Sequence, residues 1–465
     1  MPEATFGHGR ALRIETEWRG ENGPLAVTVA LAGGEPWTCL DREIVDRRYD
    51  SADRERRLKE RVRLGVQRVL EREFNLAASP WGILLGVRPM KVTHTLLDRG
   101  FSSDEVRDLL EGVYGVAPDK IGLMLEVAAK QRPLFHPEPN DPVSVYLGIP
   151  FCPTRCSYCS FASYPIDSHG HLMAGFLAAL QAEIRAVGAL LRETGIQVES
   201  IYFGGGTPTT VQGAALAELL ALVNAELRTE HTVEFTVEAG RPETLSPDTL
   251  RSLKAAGVNR ISINPQSMHD ETLQAIGRQH TVDQVRTAFW QARKEGIEGI
   301  NMDIILGLPG EEPSHVEQTL EEIAALGPDN LTVHSLALKR ASRLKRDTSY
   351  LQLAQAHGEA MAALASDYAQ QMGMEPYYLY RQRYILGHLE NVGYARPGFE
   401  CIYNIQMMEE RQTTIALGGG GITKLVNPDL TLIRVVNAKC PATYARQIET
   451  YLPAKIDQIR KHLLV

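Results

Sequence analysis

Three cysteines, Cys152, Cys156 and Cys159, stand in a C-x3-C-x2-C spacing within GIPFCPTRCSYCSF, residues 148–161. Thiolates are the usual protein ligands of iron–sulfur clusters, and a four-iron cubane normally takes four. Three close ligands leave one iron open to a small molecule. A structural zinc site also uses several thiolates, but it closes its tetrahedron with a second nearby pair or a histidine. No CxxC or HxxxH partner follows here, and the nearest histidines, His169 and His171, fall in a stretch that reads as loop. A disulfide requires an oxidising compartment. Six cysteines in 465 residues, three of them clustered, point instead to a reducing cytosol and ligand chemistry. Cys39, Cys401 and Cys440 are scattered and read as buried small hydrophobes.

A second set of residues recurs where apolar, strand-like runs end. FGGGTPT places Gly204, Gly205, Gly206 and Thr207 together, and residues without a Cβ let backbone approach a ligand closely. Glu238 lies in FTVEAGRP, where a buried acid is expensive unless it is paired, which favours hydroxyl or cation binding. Gln266 ends SINPQS. Arg278 follows in AIGRQHT with a planar fork that suits a carboxylate. Asp303 sits inside the otherwise apolar NMDIILGLPG and again needs a partner, such as sugar hydroxyls. Their order along successive strands ties them to one site.

The elements that must position these residues alternate from Val143 onward. VSVYLGIPF, VESIYFGG, VEFTVEA, NRISINPQS, INMDIILGLP and NLTVHSLAL read as strands. Helical patterns near 171–192, 213–226, 247–256, 282–294 and 313–326 separate them. Such alternation implies βαβ units with helices covering a parallel sheet, here an α/β, partial (β/α)6 barrel. In barrels of this kind chemistry sits at the C-terminal ends of the strands, where the singled-out residues fall.

Residues 1–135 read as an α+β accessory domain, with strands RALRIETEW and LAVTVALAGG and a charged helix over 51–74. Trp81, Arg88 and Lys91 form either a docking surface or a buried tryptophan beside a turn. The proline-rich QRPLFHPEPNDPVS is a linker. The core domain is expected over 136–345. A separate α+β subdomain over 346–465 is expected to cap the barrel mouth, its last helix interrupted at Pro453.

Apolar residues make up 44% and charged residues 23%, as in an ordinary globular protein. A net charge of −8 disfavours nucleic acid as the main partner. The amino terminus lacks an apolar signal core, and no uninterrupted apolar run approaches the length of a membrane span. A cytoplasmic location is expected.

The cysteine spacing resembles the signature of radical S-adenosylmethionine (radical SAM) enzymes. Together YLGIPFCPTRCSYC, FGGGTPT, VEAGRP, RISINPQS, GRQHT, MDIILGLPG and NVGYARPGFECIYN resemble the oxygen-independent coproporphyrinogen III oxidase (dehydrogenase) family, and most of all its HemZ-type branch. The likeness covers the whole chain and is strongest over residues 143–308. It implies a [4Fe-4S] cluster on Cys152, Cys156 and Cys159, with SAM on the open iron. Tyr146, Gly205, Glu238, Gln266, Arg278 and Asp303 would contact SAM, the glycine run would hold its amino group, and Tyr158 would lie by the adenine. The implied reaction takes hydrogen from a propionate side chain of coproporphyrinogen III and releases CO2 and one electron. Done twice, it leaves the two vinyl groups of protoporphyrinogen IX. It implies an electron donor such as flavodoxin or ferredoxin, and cations for the substrate carboxylates, with Arg340, Arg343, Arg381 and Arg383 as candidates. Two alternatives share the resemblance: a radical SAM enzyme acting on another tetrapyrrole or a methyl-transfer substrate, and a non-catalytic haem-binding carrier.

Several positions depart from the family pattern. Gly148 stands where the dehydrogenases commonly carry His, and Phe161 where they carry a further Cys. RQTTIAL only partly matches their QGYTT-like segment. Tyr403-Asn404 replaces the His-Asn pair of the related haem-trafficking branch.

Overall fold

A computed structural model describes residues 4–6, 10–19, 23–138, 140–337, 349–382 and 385–464. They fall into two units, residues 1–129 and 130–465.

In the first unit β1 (Ala4–Phe6), β2 (Arg10–Trp18), β3 (Leu25–Leu31) and β4 (Trp37–Asp41) form an antiparallel meander among the described residues. β3 alternates in burial, as its period of two requires. Its Leu25, Val27, Val29 and Leu31 pack with Val69 of α1 (Ser51–Phe74). Asp41 is buried between Arg57 and Arg61 of α1, at 2.7 and 2.6 Å. Helices α2 (Met90–Asp98), α3 (Ser103–Gly112) and α4 (Pro118–Gln131) follow. Trp81 is fully buried, so a docking surface built on Trp81, Arg88 and Lys91 has no exposed aromatic to offer.

The second unit begins with β5 (Val143–Ile149), short strands β6 (Phe151–Cys152) and β7 (Tyr164–Pro165), then α5 (Ile166–His169), α6 (Met173–Thr194) and β8 (Val198–Gly205). It continues through α7 (Gly213–Glu226), β9 (Glu234–Glu238), α8 (Pro247–Ala255), β10 (Arg260–Ser262), α9 (Asp270–Ala275) and α10 (Val282–Lys294). Next come β11 (Gly299–Leu306), α11 (Pro313–Leu326) and β12 (Asn330–Ser335). Strands β5, β8, β9, β10, β11 and β12 lie side by side in that order, each parallel to its neighbours within the series. That is the partial (β/α)6 barrel, an α/β fold. Helices cover its strands, so they are apolar almost throughout, as in β5, where six of seven residues are buried.

After α12 (Ser349–Gln371) the chain adds β13 (Glu375–Tyr380) and β14 (Asn391–Ala395) to the β12 edge, antiparallel. Helix α13 (Ile402–Glu409) follows, and β15 (Thr414–Gly418) then lies parallel to β5 at the other edge. β16 (Ile422–Val426), β17 (Leu432–Val436) and α14 (Pro441–Leu463) complete the chain. Among the described residues one 11-stranded sheet therefore runs β13-β14-β12-β11-β10-β9-β8-β5-β15-β16-β17. Among the described residues the strands after α12 extend the barrel sheet and form no sheet of their own.

The stretch Ile166–Thr194 is long and apolar enough to cross a membrane, yet 56% of its apolar window is buried inside the fold. Glu183, in the middle of α6, is itself fully buried and meets Lys455 of α14 at 2.8 Å. The Gly418 amide and the Asn437 side chain also donate to Glu183, and Lys455 donates to Asn437 Oδ1 at 3.0 Å. This saturated ion pair locks α6, β15 and α14 together.

Candidate active site

All the residues expected to hold the cluster or SAM, except Gly204, line one cavity of about 410 Å³ at the C-terminal ends of the barrel strands. Gly204 stands just behind its wall, where a Cβ would come within 3.0 Å of Tyr146 and Tyr202 and 3.1 Å of Glu238 Oε1.

The cysteine loop is held by backbone. β6 pairs with β7. The Gly206 and Thr207 amides donate to the carbonyls of Ile149 and Phe151 at 2.8 and 2.7 Å, and the Ser157 amide donates to Ile276 at 2.9 Å. Gly206 has no alternative residue: a Cβ there would press into the Phe151 carbonyl and reach 3.0 Å from Cys152 Sγ. The glycine run thus braces the cysteine strand as well as facing the cavity. Gly148 likewise has no room for the histidine of the family pattern, since its Cβ would lie 2.8 Å from the Gly419 carbonyl.

Among the described residues no three His, Cys, Asp or Glu side chains converge as one metal ion requires. Tetrahedral zinc would draw its sulfurs to about 3.8 Å of one another. The three thiols all line the same cavity. Burial pushes the Cys152 thiol up to about 11, against a hydrogen bond from Thr207. Loading the thiolate site must therefore release protons.

Across the cavity, Tyr202 Oη donates to Glu238 Oε1 at 2.7 Å. Burial pushes the Glu238 carboxyl up; the Tyr202 bond opposes this, nearby Asp303 adds to it, and the result is about 7. Asp303 accepts from Asn301 Nδ2 at 2.6 Å and faces His334 Nε2 at 3.6 Å. His334 Nδ1 lies 3.2 Å from Tyr380 Oη. Gln266 adopts a left-handed backbone, φ 68°, and its buried Oε1 has no partner. A strained residue with an orphaned polar atom aimed into a cavity fits ligand binding. Arg278 spends its fork on the Gly240 and Asn264 carbonyls and on Tyr158 Oη at 3.1 Å. It thereby fixes Tyr158 to the wall.

Helix α13 supplies the floor. Its amino end is anchored at the start of β9, where Glu234 accepts from the Ile402 amide at 2.6 Å and Cys401 Sγ at 3.3 Å. Tyr403 then stacks on Tyr202 with ring centroids 4.3 Å apart and on Tyr146 at 5.8 Å. Asn404 and Met408 face the cavity.

Of the candidate substrate cations, Arg340, Arg343 and Arg383 lie outside the described residues. Arg381 is buried and is not among the cavity's lining residues. Sequence reasoning passed over Arg241 and His334, both of which line the cavity. The signal that picked out Asp303, an ionisable residue within an apolar strand, was equally present for His334 in NLTVHSLAL. Arg241 stood three residues beyond Glu238 in the same motif.

Residues 146–323 match the model of the radical SAM superfamily. The chain is 41% identical over 388 residues to the oxygen-independent coproporphyrinogen-III oxidase-like protein HemZ of Bacillus subtilis, covering 82% of this chain and 77% of that protein. It is 29% identical over 332 residues to the heme chaperone HemW of Mycobacterium tuberculosis, covering 70% of this chain and 78% of HemW. Among solved structures, coproporphyrinogen III oxidase (HemN) from Escherichia coli superposes with a TM-score of 0.54 at 23% identity, covering 70% of this chain and 73% of HemN. The cysteine loop, the strand-end residues and the relatedness to HemZ agree: the chain belongs to the radical SAM superfamily, whose cofactors are a [4Fe-4S] cluster and SAM, and within it to the HemZ-type, oxygen-independent coproporphyrinogen-III oxidase-like proteins.

Proposed function

We propose that this protein is an oxygen-independent decarboxylating enzyme that converts propionate side chains of coproporphyrinogen III to vinyl groups in the reducing cytoplasm, with flavodoxin or ferredoxin as electron donor. The observation that carries this reading is the division of roles inside the barrel. The cysteines, Glu238, Gln266 and Asp303 all face one cavity. Tyr403 stands where the haem-trafficking branch carries its histidine, and it is sealed in the tyrosine stack at 4% exposure. Burial pushes its phenol well above the ordinary tyrosine range and keeps it protonated, which disfavours it as a ligand for haem iron.

When bound, the cluster and SAM supply one-electron cleavage of the sulfonium and a hydrogen-abstracting carbon radical. The chain's own residues bind and orient. Cys152, Cys156 and Cys159 hold the cluster; Tyr146, Gly205, Glu238, Gln266 and Asp303 hold SAM, with Tyr158 beside the adenine. The tyrosine stack and α13 close the cavity floor against water.

With Glu238 held near 7, its ionised form, the better acceptor for ligand hydroxyls or an ammonium, is in the minority at pH 6 and the majority at pH 8. SAM is therefore expected to bind several-fold more weakly at pH 6 than at pH 8, approaching about tenfold for one pKa unit. Glu238→Gln should flatten that dependence. Equilibrium binding of SAM to both proteins at the two pH values checks it, and an identical pH dependence in the variant removes Glu238 from the SAM site.

Reduced protein incubated with SAM and coproporphyrinogen III is expected to form 5′-deoxyadenosine and a vinyl-bearing product, both dependent on the porphyrinogen. 5′-Deoxyadenosine without vinyl product would move the substrate elsewhere. The HemW relationship makes a haem carrier the second reading, and stoichiometric haem binding by absorbance titration, without turnover, would establish it.

A further inference from the structure

Behind the cysteine loop lies a buried chain of charged side chains that, Arg278 apart, none of these roles uses. Arg241 follows the end of β9 and is 3% exposed. Nη2 donates to Thr154 Oγ1 at 2.8 Å, and Nη1 donates to the Thr154 carbonyl at 3.3 Å. Nη1 also points at Cys156 Sγ from 3.7 Å, hydrogen-bonding range for sulfur. On the far side Nε donates to Glu243 Oε1 at 2.8 Å. His280 Nδ1 lies 3.3 Å from Glu243 Oε2 and 3.4 Å from Arg278 Nε. Arg278 closes the chain on Tyr158. Thr154, Cys156 and Tyr158, spread along the loop, are thus held from one framework. Glu243 occupies Nε and Nη2, so Nη1 serves the Thr154 carbonyl and the sulfur.

We propose that Arg241 is a positioning residue for the cluster, fixing the loop through Thr154 and donating a hydrogen bond to the sulfur of Cys156, so that the bound cluster is easier to reduce. Reduction adds negative charge to the cluster, and a donor aimed at a ligand sulfur stabilises the more negative state. Glu243 balances the charge of Arg241 from the opposite edge but cannot replace the bond to sulfur. A lysine would keep the charge but lose the fork that reaches Thr154 and Cys156 together.

The test is a redox titration of anaerobically reconstituted protein, with dithionite as the one-electron reductant and the reduced cluster counted by EPR. Arg251→Gln serves as control, because Arg251 is 56% exposed on α8. At the wild-type midpoint, Arg241→Gln is expected to show a ratio of reduced to oxidised cluster at least about tenfold lower, equivalent to 59 mV for one electron. Arg241→Lys should shift the same way by less, and Arg251→Gln should not shift. A cluster-loaded Arg241→Gln with wild-type midpoint and EPR spectrum overturns the proposal. Should Arg241→Gln take up no cluster, Arg241→Lys decides: a lowered midpoint upholds the role, and a wild-type midpoint refutes it.

Discussion

Cys156→Ala protein, reconstituted anaerobically with iron and sulfide, is expected to hold no stable four-iron cluster and to lose at least about 10³-fold of its 5′-deoxyadenosine formation. Three protein ligands already leave one corner of a cubane open, so removing another leaves two. No spare ligand stands by, because no further His, Cys, Asp or Glu among the described residues converges with these thiols. The two remaining thiols lie on the same buried wall, where burial raises both Cys152 and Cys159 and favours their protonated forms. Iron content, visible absorbance and EPR measure the first effect, and chromatography of the nucleoside products measures the second. Cys39→Ala, in the other unit, should match the parent in all of them. Wild-type iron and turnover in Cys156→Ala would remove the cubane from the account.

Lys455→Ala should destabilise the larger unit by about 3–5 kcal/mol, because it strands Glu183 without a counter-ion in a site where neither side chain touches solvent. Glu183 keeps donors from Gly418, Asn437 and Tyr444, but a carboxylate among neutral donors still lacks its compensating charge. Replacing the whole pair, Glu183→Leu with Lys455→Met, should cost much less, since an apolar pair of similar volume leaves no charge uncompensated. Urea denaturation followed by circular dichroism separates these outcomes. A Lys455→Ala midpoint no lower than that of the double variant would mean that an uncompensated Glu183 carries no such cost.

The barrel was legible because its strands carry continuous apolar runs and its helices carry their own start signals. Thr281 with Gln284 forms a capping box at the start of α10, and Ser246 caps α8 just before Pro247. The metal ligands and strand-end residues were legible because an acid, an amide or a cysteine trio is out of place in such runs. The destination of β15 was hidden: parallel pairing of Gly418 with Gly148 has no local signature, and IALGGGGITK reads equally well as a hairpin edge. The roles of the glycines were only half visible. Free backbone at Gly206 suggested ligand approach, whereas the nearest atoms belong to Phe151 and Cys152. The work of Arg241 was hidden for the same reason, since its partners come from a loop about 85 residues earlier.

The pairing of β5 with β15 bears on how the enzyme is made. The strand that leads into the cysteine loop, Val143–Ile149, gains its second neighbour only when Thr414–Gly418 arrives. At ordinary synthesis rates that interval is on the order of tens of seconds. The six barrel strands follow one another in the chain, but the outer edge of β5 stays unpaired until residues 414–418 have been made. The strand that leads into the cysteine loop therefore has its full pairing only after residues 414–418 have been made.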